Sequence, residues 1–133
     1  MSDKYVLDSS IIAAIFFREK SSKKAAKAVQ NTRLVTVDIA RAEVANVGWK
    51  RIIIFEEDPG IITEALEMVF EFINTSCKVL SIKELAELSF QIALREKVTF
   101  YDSLFLAASQ NEKAPLLTLD KRLQKTSNSV ELL

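Results

Sequence analysis

The chain has 133 residues, of which 49% are hydrophobic, and its 18 basic and 18 acidic side chains balance at neutral pH. This length and composition predict one domain over residues 1–133 with a well-buried core. The absence of excess basic charge predicts that any contact with nucleic acid is local. No histidine occurs, which excludes Ser-His-Asp, Cys-His and metal–imidazole sites.

The numbers of cysteines and glycines and the lengths of the apolar runs exclude further classes of protein. Cys77 is the only cysteine, which excludes an intrachain disulfide and a multi-cysteine zinc site and suits a reducing cytoplasm. Gly48 and Gly60 are too few to build a dinucleotide fingerprint or a phosphate-binding loop. No signal peptide pattern occurs, and no apolar run approaches the roughly 20 residues of a membrane span. We therefore expect a soluble cytoplasmic protein without membrane contact.

Short apolar strands alternate with amphipathic helices along the chain. Strands are predicted over residues 5–7, 34–37, 77–80, 115–119 and 130–133, and helices over 11–16, 20–30, 39–55, 61–73, 82–96 and 99–111. Ser9 or Ser10 is predicted to cap the first helix, Asp38 and Asp58 the third and fourth, and Ser81 the fifth. This alternation predicts an α/β fold with a mainly parallel sheet covered by helices on both faces.

Four acidic residues stand where a strand gives way to a helix or in the first turns of a helix. They are Asp8, Glu43, Asp102 and Asp120, called the acidic cluster below. In a parallel α/β domain those places meet at the carboxyl end of the sheet. Carboxylates gathered there repel one another unless cations lie between them, and their oxygens suit Mg²⁺ or Mn²⁺. The pattern predicts phosphoryl-transfer chemistry in which all four residues are catalytic and hold metal, Asp8 and Asp102 directly.

Three neighbouring polar residues are candidates for contact with substrate. Helical spacing puts Asn46 and Lys50 on the same stripe as Glu43. We predict that Ser10 and Asn46 support the acidic cluster or contact a phosphate, and that Lys50 contacts substrate. Each acidic residue alone would be interpreted as a helix cap or an exposed turn residue. Only their joint arrangement predicts a catalytic site.

Four segments together resemble the PIN domain nucleases, and especially the toxin ribonucleases of VapBC toxin–antitoxin pairs. The matching segments are Tyr5–Ser10, Ala42–Asn46, Phe100–Ala107 and Leu116–Leu123. The resemblance covers nearly the whole chain, and it implies a three-layer sandwich with a five-stranded parallel sheet in the order 3-2-1-4-5. It also implies that Asp8 and Asp120 face each other at the switch point between strands 1 and 4. Ser9 departs from the small apolar residue of many relatives and is not expected to disturb the adjacent Asp8.

The resemblance further implies an activity and partners. The activity is Mg²⁺- or Mn²⁺-dependent cleavage of single-stranded or looped RNA by the toxin of a type II pair. The partners are the RNA substrate, a VapB-like antitoxin whose C-terminal segment enters the cleft, and a second copy of the chain in a homodimer. Apolar residues at 52–55 and 61–73 also predict a partner surface. Two alternatives are open: a housekeeping PIN nuclease in ribosomal RNA processing, and a non-catalytic PIN-like binding subunit.

Overall fold

The computed structural model describes residues 2–133 and has twelve helices and strands in that part of the chain. The strands are β1 (Lys4–Leu7), β2 (Arg33–Val37), β3 (Cys77–Leu80), β4 (Leu116–Thr118) and β5 (Val130–Leu132). The helices are α1 (Ser9–Phe16), α2 (Ser22–Ala28), α3 (Ile39–Ile53), α4 (Pro59–Ser76), α5 (Ile82–Glu96), α6 (Phe100–Glu112) and α7 (Lys121–Gln124). The predicted alternation of strand and helix is confirmed.

All five strands form one parallel sheet in the order β3-β2-β1-β4-β5, as the resemblance implied. The order reverses between β1 and β4, where open α/β sheets form their clefts. In the register of this pair Val6 lies opposite Leu116 and Leu7 opposite Leu117. The ends of β1 and β4 therefore deliver the residues that follow them, including Asp8 and Asp120, to the same edge of the sheet.

Helices cover both faces of the sheet, which completes the predicted three layers. On one face, α1 packs against β1 and β4 and also contacts α2, α3 and α4. On the other face, α6 packs against β1, β2 and β4 and is covered by α5. Residues Ser103–Ser109 of α6 are buried without interruption because this helix is enclosed by the sheet and α5. None of the helices within residues 2–133 is both long and apolar enough to cross a membrane.

Two of the predicted helix caps are confirmed. The Asp58 carboxylate accepts a hydrogen bond from the Ile61 N–H at 3.0 Å at the start of α4. Ser81 and Glu84 form the capping box of α5, with bonds of 3.1 and 2.7 Å between side chain and backbone. These caps satisfy N–H groups that a helix leaves without internal partners.

Two other caps differ from the prediction. Asp8, and not Ser9 or Ser10, caps α1, because its carboxylate accepts from the Ile11 N–H at 3.2 Å. Asp38 precedes α3 but makes no side-chain cap there. Its carboxylate instead accepts from the Ile82 N–H at 3.2 and 3.3 Å, which ties the start of α3 to the start of α5.

Candidate metal centre

Asp8 is buried at the end of β1, with only 7% of its surface exposed. Its Oδ1 accepts hydrogen bonds from the Ser10 hydroxyl at 2.5 Å and the Ile11 N–H at 3.2 Å, and its Oδ2 accepts from the Thr118 hydroxyl. Burial raises the pKa of Asp8 to about 6, although these hydrogen bonds oppose the rise. At neutral pH the protein therefore holds a buried negative charge in a fixed orientation.

Thr118 connects the ends of β1 and β4. Its hydroxyl donates to Asp8 and accepts from the Asp120 N–H at 3.0 Å. Beside it, the Ser10 hydroxyl that donates to Asp8 accepts from the Leu119 N–H at 3.2 Å. The two hydroxyls thus join the turn after β4 to the Asp8 carboxylate.

Glu43 enters the same region from the second turn of α3. The Ser9 hydroxyl donates to Glu43 Oε1 at 2.6 Å. Partial burial raises the pKa of Glu43, the negative charge of Asp102 raises it further, and the bond from Ser9 opposes both effects. Sequence analysis considered Ser9 only as a possible helix cap, whereas in the structure its hydroxyl holds Glu43.

Asp102 lies in the first turn of α6, where its N–H donates to Thr99 Oγ1 at 3.1 Å. Partial burial is the main cause that raises the pKa of Asp102, and the nearby charge of Asp120 adds to it. A hydrogen bond from the Thr99 side chain to the Asp102 carboxyl group and the positive charge of Arg122 act in the opposite direction. Asp102 is therefore within electrostatic range of two other members of the acidic cluster, Glu43 and Asp120.

Asp120 differs from the other three because Arg122 neutralises it. Asp120 Oδ1 accepts from the Arg122 backbone N–H at 2.9 Å and from Nε at 3.2 Å, while Oδ2 accepts from Nη2 at 2.9 Å. This pairing lowers the pKa of Asp120. The carboxylate also caps α7, the short helix that sequence analysis did not predict.

The structure places the acidic cluster at the carboxyl end of the sheet but does not close it. Within residues 2–133, no three carboxylate or thiol side chains lie close enough together to enclose a metal ion as they stand. Of the three predicted substrate contacts, Ser10 is bonded to Asp8, while Asn46 and Lys50 are exposed along α3. Neither exposed side chain makes a hydrogen bond in the described part of the chain, so their contact with substrate stays a prediction.

The chemistry of the acidic cluster fits a hard divalent cation. Its donors are all carboxylate oxygens, which are the ligands that Mg²⁺ and Mn²⁺ prefer. Asp8, Glu43 and Asp102 have raised pKa values, and no basic side chain within residues 2–133 forms an ion pair with any of them. A cation would relieve both their desolvation and their mutual repulsion.

The strand order β3-β2-β1-β4-β5, with acidic side chains where the order reverses, is that of an α/β domain whose site lies at the carboxyl end of its sheet. The family model described as PIN domain matches residues 5–128. The chain belongs to the PIN domain family.

Individual relatives extend this assignment. The chain is 39% identical over 123 residues to Ribonuclease VapC3 of Pyrobaculum aerophilum, an alignment that covers 90% of this chain and 92% of the relative.

Three solved structures share the fold. A crystal structure of a Pyrobaculum aerophilum protein has a TM-score of 0.72 at 22% identity, covering 96% of this chain and 81% of the other. A toxin–antitoxin complex from Klebsiella pneumoniae has a TM-score of 0.71 at 18% identity, covering 96% and 95%. VapBC2 from Rickettsia felis, bound to a DNA fragment from its promoter, has a TM-score of 0.67 at 13% identity, covering 98% and 97%.

Proposed function

We propose that this chain is a single-domain, metal-dependent endoribonuclease and the toxin of a type II toxin–antitoxin pair. The observation that carries the proposal is the acidic cluster, in which three carboxylates with raised pKa values lie at the carboxyl end of the sheet without an ion-pair partner in the described part of the chain. RNA is the proposed substrate because the relative at 39% identity is a ribonuclease. The same relative disfavours a non-catalytic binding subunit, and the toxin–antitoxin fold neighbour disfavours a housekeeping nuclease.

The acidic cluster would hold Mg²⁺ or Mn²⁺, with Asp8 and Asp102 in direct contact and Glu43 and Asp120 in direct or water-mediated contact. When bound, such an ion activates water as a nucleophile and stabilises the negative charge that develops at a phosphodiester. The carboxylates supply the charge that retains the ion. Their placement on the ends of a rigid sheet and its helices keeps them in register with one another.

The hydroxyls around the acidic cluster fix the direction of its carboxylates. Asp8 accepts three hydrogen bonds, from Ser10, Ile11 and Thr118, so its plane is set before any ligand arrives. Such preorganisation lowers the entropy that binding and reaction must lose. Glu43 is held through Oε1 only, and its raised pKa suits a group that orients water and accepts a proton from it.

Contacts to the RNA backbone are proposed for polar residues beside the acidic cluster. Asn46 and Lys50 are exposed on α3 beyond Glu43, and Lys121 is exposed at the start of α7. A chain without net charge needs such local donors to position phosphates. Ser10 is assigned to the support of Asp8, and its contact with substrate is the weaker of the two roles that we predicted.

Partner proteins are proposed from the exposed apolar surface. The end of α3 and the start of α4 expose more than half of each of five large apolar side chains, namely Trp49, Ile53, Ile54, Phe55 and Ile61. An apolar surface of this kind is typical of a protein interface. We propose that a VapB-like antitoxin or a second copy of the chain covers it, in line with the toxin–antitoxin complex among the fold neighbours.

Cleavage of a mixed pool of structured RNAs by antitoxin-free protein tests the proposed function. We expect cleavage that needs Mg²⁺ or Mn²⁺, and a loss of about 10²-fold or more in Asp8→Asn, because charge stabilisation at a reaction centre is worth this much. Glu112→Gln, at the opposite end of the sheet, is the matched control and should cleave as the wild type does. Cleavage by Asp8→Asn at the wild-type rate, or cleavage that persists in EDTA, would contradict the proposal.

A further inference from the structure

Arg122 occupies three of the roughly four lone-pair positions of the Asp120 carboxylate. The guanidinium group donates from Nε to Oδ1 at 3.2 Å and from Nη2 to Oδ2 at 2.9 Å, and the Arg122 backbone N–H adds a third bond at 2.9 Å. A two-pronged contact of this kind satisfies both carboxylate oxygens at once. Asp120 is therefore already paired with a cation of its own chain.

The arrangement sets Asp120 apart from the other three members of the acidic cluster. Asp8, Glu43 and Asp102 have no ion-pair partner in the described part of the chain, whereas Asp120 has one. The Arg122 side chain is 83% exposed, so its contact with Asp120 opens directly into water. Exposed ion pairs of this kind are weak and exchange readily for a stronger cation.

We propose that Arg122 is a built-in counter-cation that competes with the divalent metal for Asp120, so that metal binding requires this two-pronged contact to open. The inference rests on the proposed function, since it assumes that the acidic cluster binds metal. Arg122 is then a positioning residue: it holds Asp120 in the metal-free protein and sets how readily metal is taken up.

Titration of Mn²⁺ into the full chain by calorimetry tests the competition. Arg122→Gln should bind Mn²⁺ about two- to five-fold more tightly than the wild type, which is the strength expected of an exposed ion pair. Lys121→Gln is the matched control, because it removes the same charge from the adjacent exposed position of α7 without a hydrogen bond to Asp120 among the described contacts. Arg122→Lys keeps the positive charge but cannot form the two-pronged contact. Its affinity for Mn²⁺ should lie between those of the wild type and Arg122→Gln.

A double-mutant cycle shows whether the effect passes through Asp120. In an Asp120→Asn background, the additional change of Arg122 to Gln should raise Mn²⁺ affinity by clearly less than it does in the wild type, because only the weaker charge effect on Asp102 is then left. The proposal is overturned if Arg122→Gln binds no more tightly than Lys121→Gln, if Arg122→Lys equals the wild type, or if the full gain persists without Asp120. Failure of the proposed function looks different, because the wild type would then bind Mn²⁺ no better than Asp8→Asn does.

Discussion

The two ends of the sheet treat carboxylates in opposite ways. At the amino end, Glu112 accepts from Lys4 Nζ at 2.8 Å and from Lys78 Nζ at 3.0 Å, and these lysines lower its pKa. At the carboxyl end, Asp8 accepts hydrogen bonds from hydroxyl and backbone donors, neither Asp8 nor Asp102 has an ion-pair partner within residues 2–133, and burial raises both pKa values. The chain neutralises a carboxylate with its own lysines where only stability is needed. Asp8 and Asp102 are left without such a partner, at a cost in solvation, and this contrast is the basis of the proposed metal site.

Stabilisation by metal should be the largest difference between the two ends. At a free Mn²⁺ concentration 100 times the dissociation constant, we expect about 2.7 kcal/mol of added stability against unfolding in the wild type. Asp102→Asn should lose most of this gain, whereas Glu112→Gln should keep it. Urea unfolding with Mn²⁺ and with EDTA measures the gain. An equal gain in Asp102→Asn would remove the distinction between the two ends.

Thr118→Val tests the hydroxyl that joins Asp8 to Asp120. The substitution keeps the volume of a fully buried side chain but removes the donor to Asp8 Oδ2 and the acceptor for the Asp120 N–H. Loss of such an orienting bond typically lowers metal affinity about 10–100-fold. Calorimetric titration with Mn²⁺ measures the change.

A matched control for Thr118 lies at the amino end of the sheet. The buried Ser109 hydroxyl donates to the Ala114 carbonyl at 2.5 Å, far from the acidic cluster in the topology of the sheet. Ser109→Ala should therefore destabilise the fold by about 1 kcal/mol without weakening Mn²⁺ binding. If both variants lost metal affinity equally, Thr118 would support the fold in general and not the metal centre.

Ser9→Ala should have a smaller effect, because Ser9 supports only one oxygen of one member of the acidic cluster. We expect RNA cleavage to fall about ten-fold, the lower end for loss of a supporting hydrogen bond. Ser9→Thr retains the hydroxyl and should recover most of the activity. The measurement is the cleavage rate of each variant at saturating RNA and metal. If Ser9→Ala cleaved RNA as fast as the wild type, Glu43 would need no such support.

The sequence predicted the strands and most of the helices because periodicity and capping are local signals. Asp58 and Ser81 illustrate this, since each bonds to a backbone group three residues away. The resemblance to a known family supplied the strand order, which spacing alone left open. α7 was missed because four residues are too few to show a helical period.

The contacts that shape the candidate metal centre were beyond the reach of local patterns. Thr118 bonds to a carboxylate 110 residues away, and Ser9 to one 34 residues away. Such pairs depend on strand register, which determines which residues face each other. The two-pronged contact of Arg122 with Asp120 joins residues only two positions apart. Its geometry nevertheless depends on the turn into α7, and sequence analysis did not predict that helix.

The smallest expected effect is at the amino end of the sheet, where the pairing of Glu112 should make the stability of the fold depend on pH. Since the pKa of Glu112 is lowered in the folded chain, its pairing stabilises the fold fully above the unfolded pKa of about 4.3 and is lost as pH falls through the folded pKa. Glu112→Gln should cost about 1 kcal/mol at pH 7, mainly through Lys4, because Lys78 is 62% exposed and contributes little. The difference between variant and wild type should shrink below pH 4 in urea unfolding. A difference that stays constant down to pH 3 would mean that packing, and not the ionic contact, makes Glu112 matter, and the amino end would then no longer be the electrostatic opposite of the carboxyl end.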